Sequence, residues 1–164
     1  MNLSKLYKNS FLVIAMSLLL SACATQQKAA KIDSQIQGDV YTGSDTVEYL
    51  ADGVPDRVFF ATNESVLTTA SRETLRKQAA WMRKNSDVTV VLEGHADERG
   101  TREYNMSLSA KRADIAISYL ESLGVAGDRV ETVPYGKERP VAACSSEACW
   151  SQNRRAVSVV ITED

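Results

Sequence analysis

The sequence is poor in several residue types on which whole classes of function depend. Its 164 residues include a single histidine, three cysteines and three prolines. One histidine and three cysteines leave few ligands for a metal cluster, so neither a metal site nor a cofactor is expected. Basic residues are not in excess, because 19 Lys and Arg stand against 21 Asp and Glu. A broad nucleic-acid surface needs a basic excess, so no nucleic-acid partner is predicted.

Long hydrophobic runs are also missing, apart from one short run near the N-terminus. Residues 11–20 are nearly all apolar and follow Lys5 and Lys8. As a helix this run would rise about 15 Å, about half the thickness of a bilayer core. A run of this length behind a basic start is typical of a signal peptide, which we expect over residues 1–22. An uncleaved membrane anchor is the alternative.

A short motif follows the apolar run. Leu20-Ser21-Ala22-Cys23 resembles the lipobox of bacterial lipoproteins. The resemblance implies that Cys23 is lipidated and becomes the new N-terminus; the alternative is a cysteine that lies by chance near an ordinary cleavage site. Ala24, rather than an Asp, implies sorting to the outer membrane. Two or more acyl chains would attach the protein stably to that membrane.

Residues 23–54 show no sustained hydrophobic period and are rich in small and polar residues. We expect a lipidated N-terminus and a mostly flexible linker, which would reach about 100 Å when fully extended. Whether Val47–Leu50 packs against the following domain is left open by the sequence. Residues 55–164 are expected to form one globular domain, in keeping with an apolar share of 44%.

Hydrophobic patterns from residue 55 onward predict four strands and three helices. The expected strands are Arg57–Ala61, Asp87–Glu93, Arg129–Tyr135 and Ala156–Ile161. The expected helices are one from Thr68 or Ser71 to about Lys84, a long one over Glu103–Leu123, and a short one near Glu147–Gln152. This order predicts an α/β (α+β) two-layer sandwich, in which helices cover one face of a four-stranded mixed sheet.

One positive charge lies where the long helix should be apolar. At 100° per residue, Arg112 falls near the centre of the apolar stripe. The stripe consists of Leu108, Ile115, Ala116, Tyr119, Leu120 and Leu123. Because a buried charge without a partner is very costly, Arg112 needs a partner or a place at the edge of the core.

The loop before this helix supplies a candidate partner. It runs from Gly94 to Gly100, contains Asp97, and leaves the end of a central apolar strand. Its glycines allow close backbone approach, and Asn105 is suited to capping the helix or holding the loop. Two interpretations stay open. Asp97 and Arg112 either form a structural ion pair or face each other across a cleft, where Asp97 would take an ammonium group and Arg112 a carboxylate.

The string GHADERGTREYNMSLSAKRADIAISYLESLGV, followed by YGKERP and QNRRAV, resembles the OmpA-like peptidoglycan-binding domain. The core pattern of that family, Asn-x-x-Leu-Ser-x-x-Arg-Ala, is matched by Asn105, Leu108, Ser109, Arg112 and Ala113. With its lipobox and linker, the chain is similar more narrowly to the peptidoglycan-associated lipoproteins of Gram-negative bacteria. The resemblance covers about residues 55–162 and implies an OmpA-like fold with no enzymatic activity.

The resemblance also implies a ligand and its contacts. In the family, an Asp and an Arg fifteen positions apart hold the diaminopimelate of peptidoglycan stem peptides, and Asp97 and Arg112 have that spacing. Where the family often has Phe-Asp after the first strand, this chain has the uncharged pair Thr62-Asn63. The expected peptidoglycan-binding residues are Asp97, Arg112, Asn105, Thr62, Asn63 and Gly94. The family's double arginine is matched by Arg154 and Arg155, one of which borders the site or pairs with carboxylates elsewhere.

Partners follow from the same resemblance. It implies an outer-membrane lipoprotein of the Tol–Pal system, facing the periplasm, that binds peptidoglycan, TolB and other Tol envelope proteins and supports envelope integrity and cell division. The residues alone do not show TolB binding. Two other functions stay open, namely a periplasmic enzyme acting on wall fragments and a structural lipoprotein without a wall ligand.

His95 is the residue that an enzyme would use. Together with Asp97 and Ser109 it suggests a triad, but the sequence has neither a nucleophile elbow nor an evident oxyanion loop. Glu93, His95 and Asp97 are a poor ligand set for a metal. We therefore expect a structural histidine and no catalytic residue.

Cys144 and Cys149 lie in one loop, CSSEAC. An export signal implies an oxidising compartment, in which disulfides persist. We predict that the two cysteines form a disulfide that braces the turn before the last strand, with two free thiols as the alternative.

Overall fold

The computed structural model describes residues 49–161. The predictions for the signal peptide, for Cys23 and for most of the linker fall outside these residues. The strands of the described part are β1 (Tyr49–Ala51), β2 (Val54–Pro55), β3 (Arg57–Phe59), β4 (Thr89–Gly94), β5 (Val130–Pro134) and β6 (Arg155–Ile161). Its helices are α1 (Thr69–Lys84), α2 (Arg102–Ser122) and α3 (Glu147–Asn153). None of these helices combines the length and apolar character that a bilayer crossing requires.

The main sheet is mixed and has the strand order β3-β6-β4-β5. β6 pairs antiparallel with both β3 and β4, and β4 pairs parallel with β5. The parallel pair is connected through α2, as parallel neighbours require a crossover. Pro134 ends β5 at the edge of the sheet, where a missing backbone N–H is tolerated.

α1 and α2 begin and end at residues with clear local signals. Thr68 caps α1 and Thr101 caps α2, each by accepting a hydrogen bond from an N–H three residues further on. α2 ends before Gly124, whose φ of 86° is left-handed. This conformation lets the N–H groups of Gly124 and Val125 bond to carbonyls of the last turn, as in a Schellman motif.

Both long helices pack on one face of the sheet. The predicted inner stripe of α1, formed by Leu75, Ala79 and Met82, is fully buried. The core that it joins also contains Val58, Phe60, Leu67, Val90, Leu92, Ala113, Ala116, Leu120, Val125, Val130 and Ala156. Burial of each large apolar side chain stabilises the fold by about 1.5–3 kcal/mol. The predicted two-layer sandwich is confirmed.

One residue of the predicted apolar stripe of α2 is misplaced. Ile115 was expected to face the sheet but is exposed. The buried side of α2 includes Ser109 and Ala113, so its centre is rotated away from Ile115. Arg112 lies inside the buried side, as predicted.

The start of the folded part also differs from the expected boundary at residue 55. β1 and β2 form a short antiparallel hairpin within the last residues assigned to the linker. β1 lies against β6 of the main sheet. The question that the sequence left open for Leu50 is therefore answered, since this residue is part of the folded structure and is partly buried.

Cys144 and Cys149 are joined in a disulfide, with Cα atoms 5.6 Å apart. The bridge encloses Ser146, the residue that precedes α3. It therefore ties the loop to the first turn of α3. This helix places Trp150 beside the loop that follows β4 and Glu147 beside Arg154.

Candidate functional site

The candidate site lies where β4 ends and the following loop leads into α2. Gly94, the last residue of β4, is buried. A Cβ atom added to Gly94 would lie 1.9 Å from the backbone oxygen of Ser109, far inside any allowed contact. Only glycine therefore lets the strand and the helix touch here. This contact brings the loop that contains Asp97 close to the helix that contains Arg112.

Arg112 is fully buried, and backbone oxygens surround its guanidinium. Nε donates to Glu64 O at 2.8 Å, Nη1 to His95 O at 2.8 Å, and Nη2 to Ala61 O at 3.1 Å. The guanidinium also lies over the ring of Phe60, 5.2 Å from its centroid. These bonds use one hydrogen on each nitrogen. Within residues 49–161, the second hydrogens of Nη1 and Nη2 are left for a further acceptor.

The surroundings of Arg112 act on its charge in opposite directions. Burial, and then the like charge of Arg154, lower the pKa of Arg112 to about 10, while the charge of Asp97 acts against them. The guanidinium is therefore still a cation at neutral pH. A buried cation with N–H groups to spare favours a carboxylate as its additional partner.

Asp97 is buried as well, and arginines other than Arg112 hold its carboxylate. Arg99 donates to Oδ1 from its backbone N–H and from Nε, at 3.1 and 3.0 Å, and to Oδ2 from Nη2 at 2.8 Å. Arg154 Nη1 lies 3.4 Å from Oδ2. Burial alone would raise the pKa of Asp97, but the hydrogen bonds and charge of Arg99 and the charge of Arg154 hold it below its ordinary value. Asp97 is therefore an anion at neutral pH.

The structure differs from both sequence-based interpretations of this pair. Asp97 and Arg112, both within the described part, form no ion pair, because backbone oxygens satisfy Arg112 while Arg99 and Arg154 satisfy Asp97. The open cleft of the other interpretation is not formed either, since the exposure of Arg112 is 0% and Arg99 covers Asp97. The two opposite charges are neighbours that separate partners hold apart.

The remaining predicted residues lie around these charges at different distances. Asn105 is buried, and its Nδ2 donates to the backbone oxygen of Arg99 at 2.8 Å, so it holds the loop and does not cap the helix. Thr62 Oγ1 accepts a hydrogen bond from Arg99 Nη2 at 3.3 Å. Asn63 is exposed and has a left-handed φ of 58°. Thr62 thus reaches the site through Arg99, and Asn63 turns the chain beside it.

Several residues that contact the loop after β4 were not predicted from the sequence. The ring of Trp150 lies under the guanidinium of Arg99 at 4.2 Å, and its Nε1 donates to Glu98 Oε1 at 3.1 Å. Lys137 Nζ donates to the backbone oxygens of Glu98 and Gly100 at 3.1 and 2.7 Å. Arg99 has a local signal, because an Asp accepts a bond from the N–H two residues later in an Asx turn. Trp150 and Lys137 come from distant segments of the chain, so no local sequence signal indicates their contacts with the loop.

One of the two adjacent arginines borders the site. Arg154 is fully buried, its Nε donates to Phe60 O at 3.0 Å, and its guanidinium contacts both Asp97 and Glu147. Arg155 bonds elsewhere, to backbone oxygens of residues before β6. Arg154 therefore positions the carboxylate of Asp97.

His95 is not part of a catalytic triad. Its ring is buried and stacks on Tyr135, and neither ring nitrogen has a hydrogen-bond partner among the described residues. Burial, and then the charges of nearby arginines, lower the pKa of His95 to about 3, so its 3.6 Å approach to Glu93 is not an ion pair at neutral pH. The hydroxyl of Ser109 donates to Met106 O instead. In residues 49–161, no three His, Cys, Asp or Glu side chains gather as a metal site.

Comparison with known protein families assigns the chain to one of them. A model of the OmpA family matches residues 59–155, which include β4, α2 and both central charges. The chain therefore belongs to the OmpA family.

Full-length relatives narrow the comparison. A peptidoglycan-associated lipoprotein of Mesorhizobium japonicum is 41% identical over 96% of this chain and 95% of its own length. One of Agrobacterium fabrum is 40% identical over 96% of this chain and 91% of its own length. Within the family, the chain groups with the peptidoglycan-associated lipoproteins. The names of these relatives are those of lipoproteins and not of enzymes.

One solved structure agrees with this grouping, and a second shares only the fold. The crystal structure of the peptidoglycan-associated lipoprotein from Burkholderia pseudomallei is 32% identical, has a TM-score of 0.65, and covers 74% of this chain and 100% of its own. The C-terminal domain of Helicobacter pylori MotB has a TM-score of 0.62 at 20% identity, over 66% of this chain and 85% of that domain. At that identity, the MotB domain shows the shared fold alone.

Proposed function

We propose that the chain is an outer-membrane lipoprotein that binds peptidoglycan without a covalent bond and links that membrane to the cell wall. The ligand is the diaminopimelate of the stem peptide, whose ammonium group pairs with Asp97 and whose carboxylate accepts hydrogen bonds from Arg112. The main support is the arrangement of the two charges, since each is buried and ionised and neither is paired with the other. The names of the relatives support the same polymer as ligand.

The chemistry of the two charges selects for a zwitterion. An ammonium group satisfies the carboxylate of Asp97, and a carboxylate two bonds away satisfies the spare N–H groups of Arg112. A ligand with only one of these groups contacts only one of the two charges and forms fewer charge-assisted hydrogen bonds. The free α-amino-acid end of diaminopimelate carries both groups on one carbon atom.

The expected affinity is modest. Charge-assisted hydrogen bonds contribute about 1.5–3 kcal/mol each. A few such bonds, less the cost of ordering the ligand and opening the site, give dissociation constants between about 1 mM and 1 μM. This is sufficient for a tethered module, because the anchor holds it beside a polymer with many repeated stems.

The proposal also covers the N-terminal segment, which would attach the domain to the membrane. Residues 1–22 are a signal peptide, Cys23 carries the lipid, residues 24–48 form the linker, and the domain that starts near Tyr49 faces the periplasm. Mass spectrometry of the protein extracted from membranes tests this division. We expect an N-terminal acylated Cys23, and a mature chain that begins at any other residue would contradict it.

The Tol proteins are the protein partners in this proposal. The full-length similarity to the peptidoglycan-associated lipoproteins supports a place in the Tol–Pal system, with TolB as the direct contact and with roles in envelope integrity and cell division. Co-purification of TolB with the chain tests this part separately from wall binding. Loss of wall binding in a variant that still retains TolB would show that the two contacts use different residues.

Sedimentation with purified sacculi tests the ligand. We expect the unaltered protein to pellet with sacculi. For Asp97→Asn we expect the amount of protein left in the supernatant to be at least tenfold larger, because an amide cannot balance an ammonium charge. Arg112→Lys should behave likewise, since lysine lacks the planar fork of donors. Arg102→Ala is the matched control, because this side chain is 70% exposed and pairs with Glu138 away from Asp97.

Thermal unfolding of each variant shows whether it is still folded. A folded Asp97→Asn protein that pellets as well as the unaltered protein would reject the site. Failure of the unaltered protein itself to pellet would reject peptidoglycan as the ligand.

A further inference from the structure

Arg99 fills the position on Asp97 where the proposed ligand would place its ammonium group. Its Nε and Nη2 donate to the two carboxylate oxygens of Asp97, at 3.0 and 2.8 Å. This is a bidentate pair, the strongest arrangement between an arginine and a carboxylate. The backbone N–H of Arg99 and Nη1 of Arg154 occupy the remaining positions on Oδ1 and Oδ2, at 3.1 and 3.4 Å, so a ligand amine reaches these oxygens only when one of the present donors leaves.

Two further contacts hold Arg99 in this position. Its guanidinium lies 4.2 Å from the centroid of the Trp150 ring, a cation–π contact. Its Nη2 also donates to Thr62 Oγ1 at 3.3 Å. Trp150 is itself fixed to the same loop by a hydrogen bond to Glu98. The side chain of Arg99 is 39% exposed and that of Asp97 is 9% exposed, so Arg99 forms the outer cover of the carboxylate.

We propose that Arg99 is a built-in competitor for the ammonium subsite and sets the ligand specificity of the domain. The inference rests on the proposed function, because it concerns the same site. A ligand binds only when its amine replaces the guanidinium of Arg99 on Asp97, while its carboxylate engages Arg112. A molecule that has the carboxylates but no amine gains nothing at Asp97, because Arg99 already satisfies that charge.

The size of the effect follows from the strength of the contacts that must break. Partly exposed ion pairs and cation–π contacts are each modest in water. The conformation with Arg99 displaced is therefore a minor state, and the apparent affinity of the ligand is reduced by the fraction of molecules in that state. Removal of the guanidinium should strengthen binding of an amine-containing ligand about three- to tenfold.

Calorimetric titration of the full-length chain in detergent tests this. The probes are free meso-diaminopimelate and pimelate, which has the same carbon chain and carboxylates but no amines. The proteins are the unaltered chain, Arg99→Ala and the matched control Arg102→Ala, which removes an equal charge three residues away without touching Asp97. Arg99→Ala leaves the backbone N–H bond of residue 99 to Asp97 in place.

We expect Arg99→Ala to bind diaminopimelate about three- to tenfold more tightly, to bind pimelate no more tightly, and thus to discriminate better between them. Arg102→Ala should match the unaltered chain. Equal or weaker binding of diaminopimelate by Arg99→Ala, with the unaltered chain binding normally, would overturn the role of Arg99. Lack of diaminopimelate binding by every protein, including Arg99→Ala, would instead overturn the proposed function and this inference with it.

Discussion

At the scale of single residues, His95 is a buried neutral imidazole in a cationic environment. It is 1% exposed and stacks on Tyr135. Burial, followed by the charges of Arg155, Arg139 and Arg57, lowers its pKa from 6.5 to about 3. Between pH 6.5 and about 3, the His95 ring therefore stays neutral in the folded protein but is protonated in the unfolded chain. This makes His95 a source of pH-dependent stability and not a catalytic group.

The direction of that dependence follows from proton binding. Above pH 6.5 both states are neutral at His95, and below it only the unfolded chain is protonated, so acid favours unfolding. We expect the free energy of unfolding to fall by up to about 1.4 kcal/mol per pH unit between pH 6.5 and 3. Asp97, whose pKa is also lowered on folding, adds to the loss only below about pH 4.

Urea unfolding at several pH values measures this slope. Because His95 is the single histidine, His95→Asn removes the effect without leaving another imidazole. We expect a flatter profile for His95→Asn between pH 6.5 and 4.5, whatever its stability at neutral pH. Identical slopes for the two proteins would show that the imidazole is protonated in the folded state as well.

Some contacts of single residues could be predicted from the sequence and others could not. The spacing of Arg112 predicted a buried charge near the loop that follows β4, and this is confirmed. Its other partners are backbone oxygens of Ala61 and Glu64, which lie about 50 positions earlier and leave no side-chain signal. Arg99 was missed as a cover because an exposed arginine next to an acid is common on protein surfaces.

At the scale of elements, the close contact between β4 and α2 is the feature that positions the site. Gly94→Ala would place a methyl group against the backbone oxygen of Ser109, so strand and helix must separate. We expect a loss of about 1–3 kcal/mol in the free energy of unfolding, together with weaker sacculus binding, because the loop with Asp97 moves.

Gly127→Ala is the control for this change. A Cβ atom at Gly127 would meet only the end of the flexible Glu121 side chain, which is free to move aside. Denaturant unfolding and sacculus sedimentation of the two variants give the comparison. Equal stability of both variants would show that β4 and α2 are not in close contact.

Most elements could be predicted because their signals are local. The cap at Thr68, the stop at Gly124 and the alternation in β4 each depend on a few neighbouring residues, whereas Thr101 rather than Asn105 caps α2. The hairpin of residues 49–55 could not be predicted, because each of its strands has only two or three residues and depends on the neighbouring main sheet. Ile115 was misplaced because it lies at the margin of the buried side of α2.

At the scale of the whole molecule, the proposed function joins a site of modest affinity to a lipid anchor. If the proposed anchor keeps the domain near the wall, each contact is free to form and break without loss of the link. The closed site fits this behaviour, since Arg99 occupies Asp97 and in our proposal leaves it before a stem peptide binds. The central claim is that one ligand end group lies between Asp97 and Arg112.

A crystal structure of the protein with meso-diaminopimelate tests that claim most directly. We expect the ligand's ammonium within about 3 Å of an Asp97 carboxylate oxygen, its carboxylate at a similar distance from Nη1 or Nη2 of Arg112, and Arg99 turned away from Asp97. A ligand bound at another surface, with Arg99 still paired to Asp97, would contradict it.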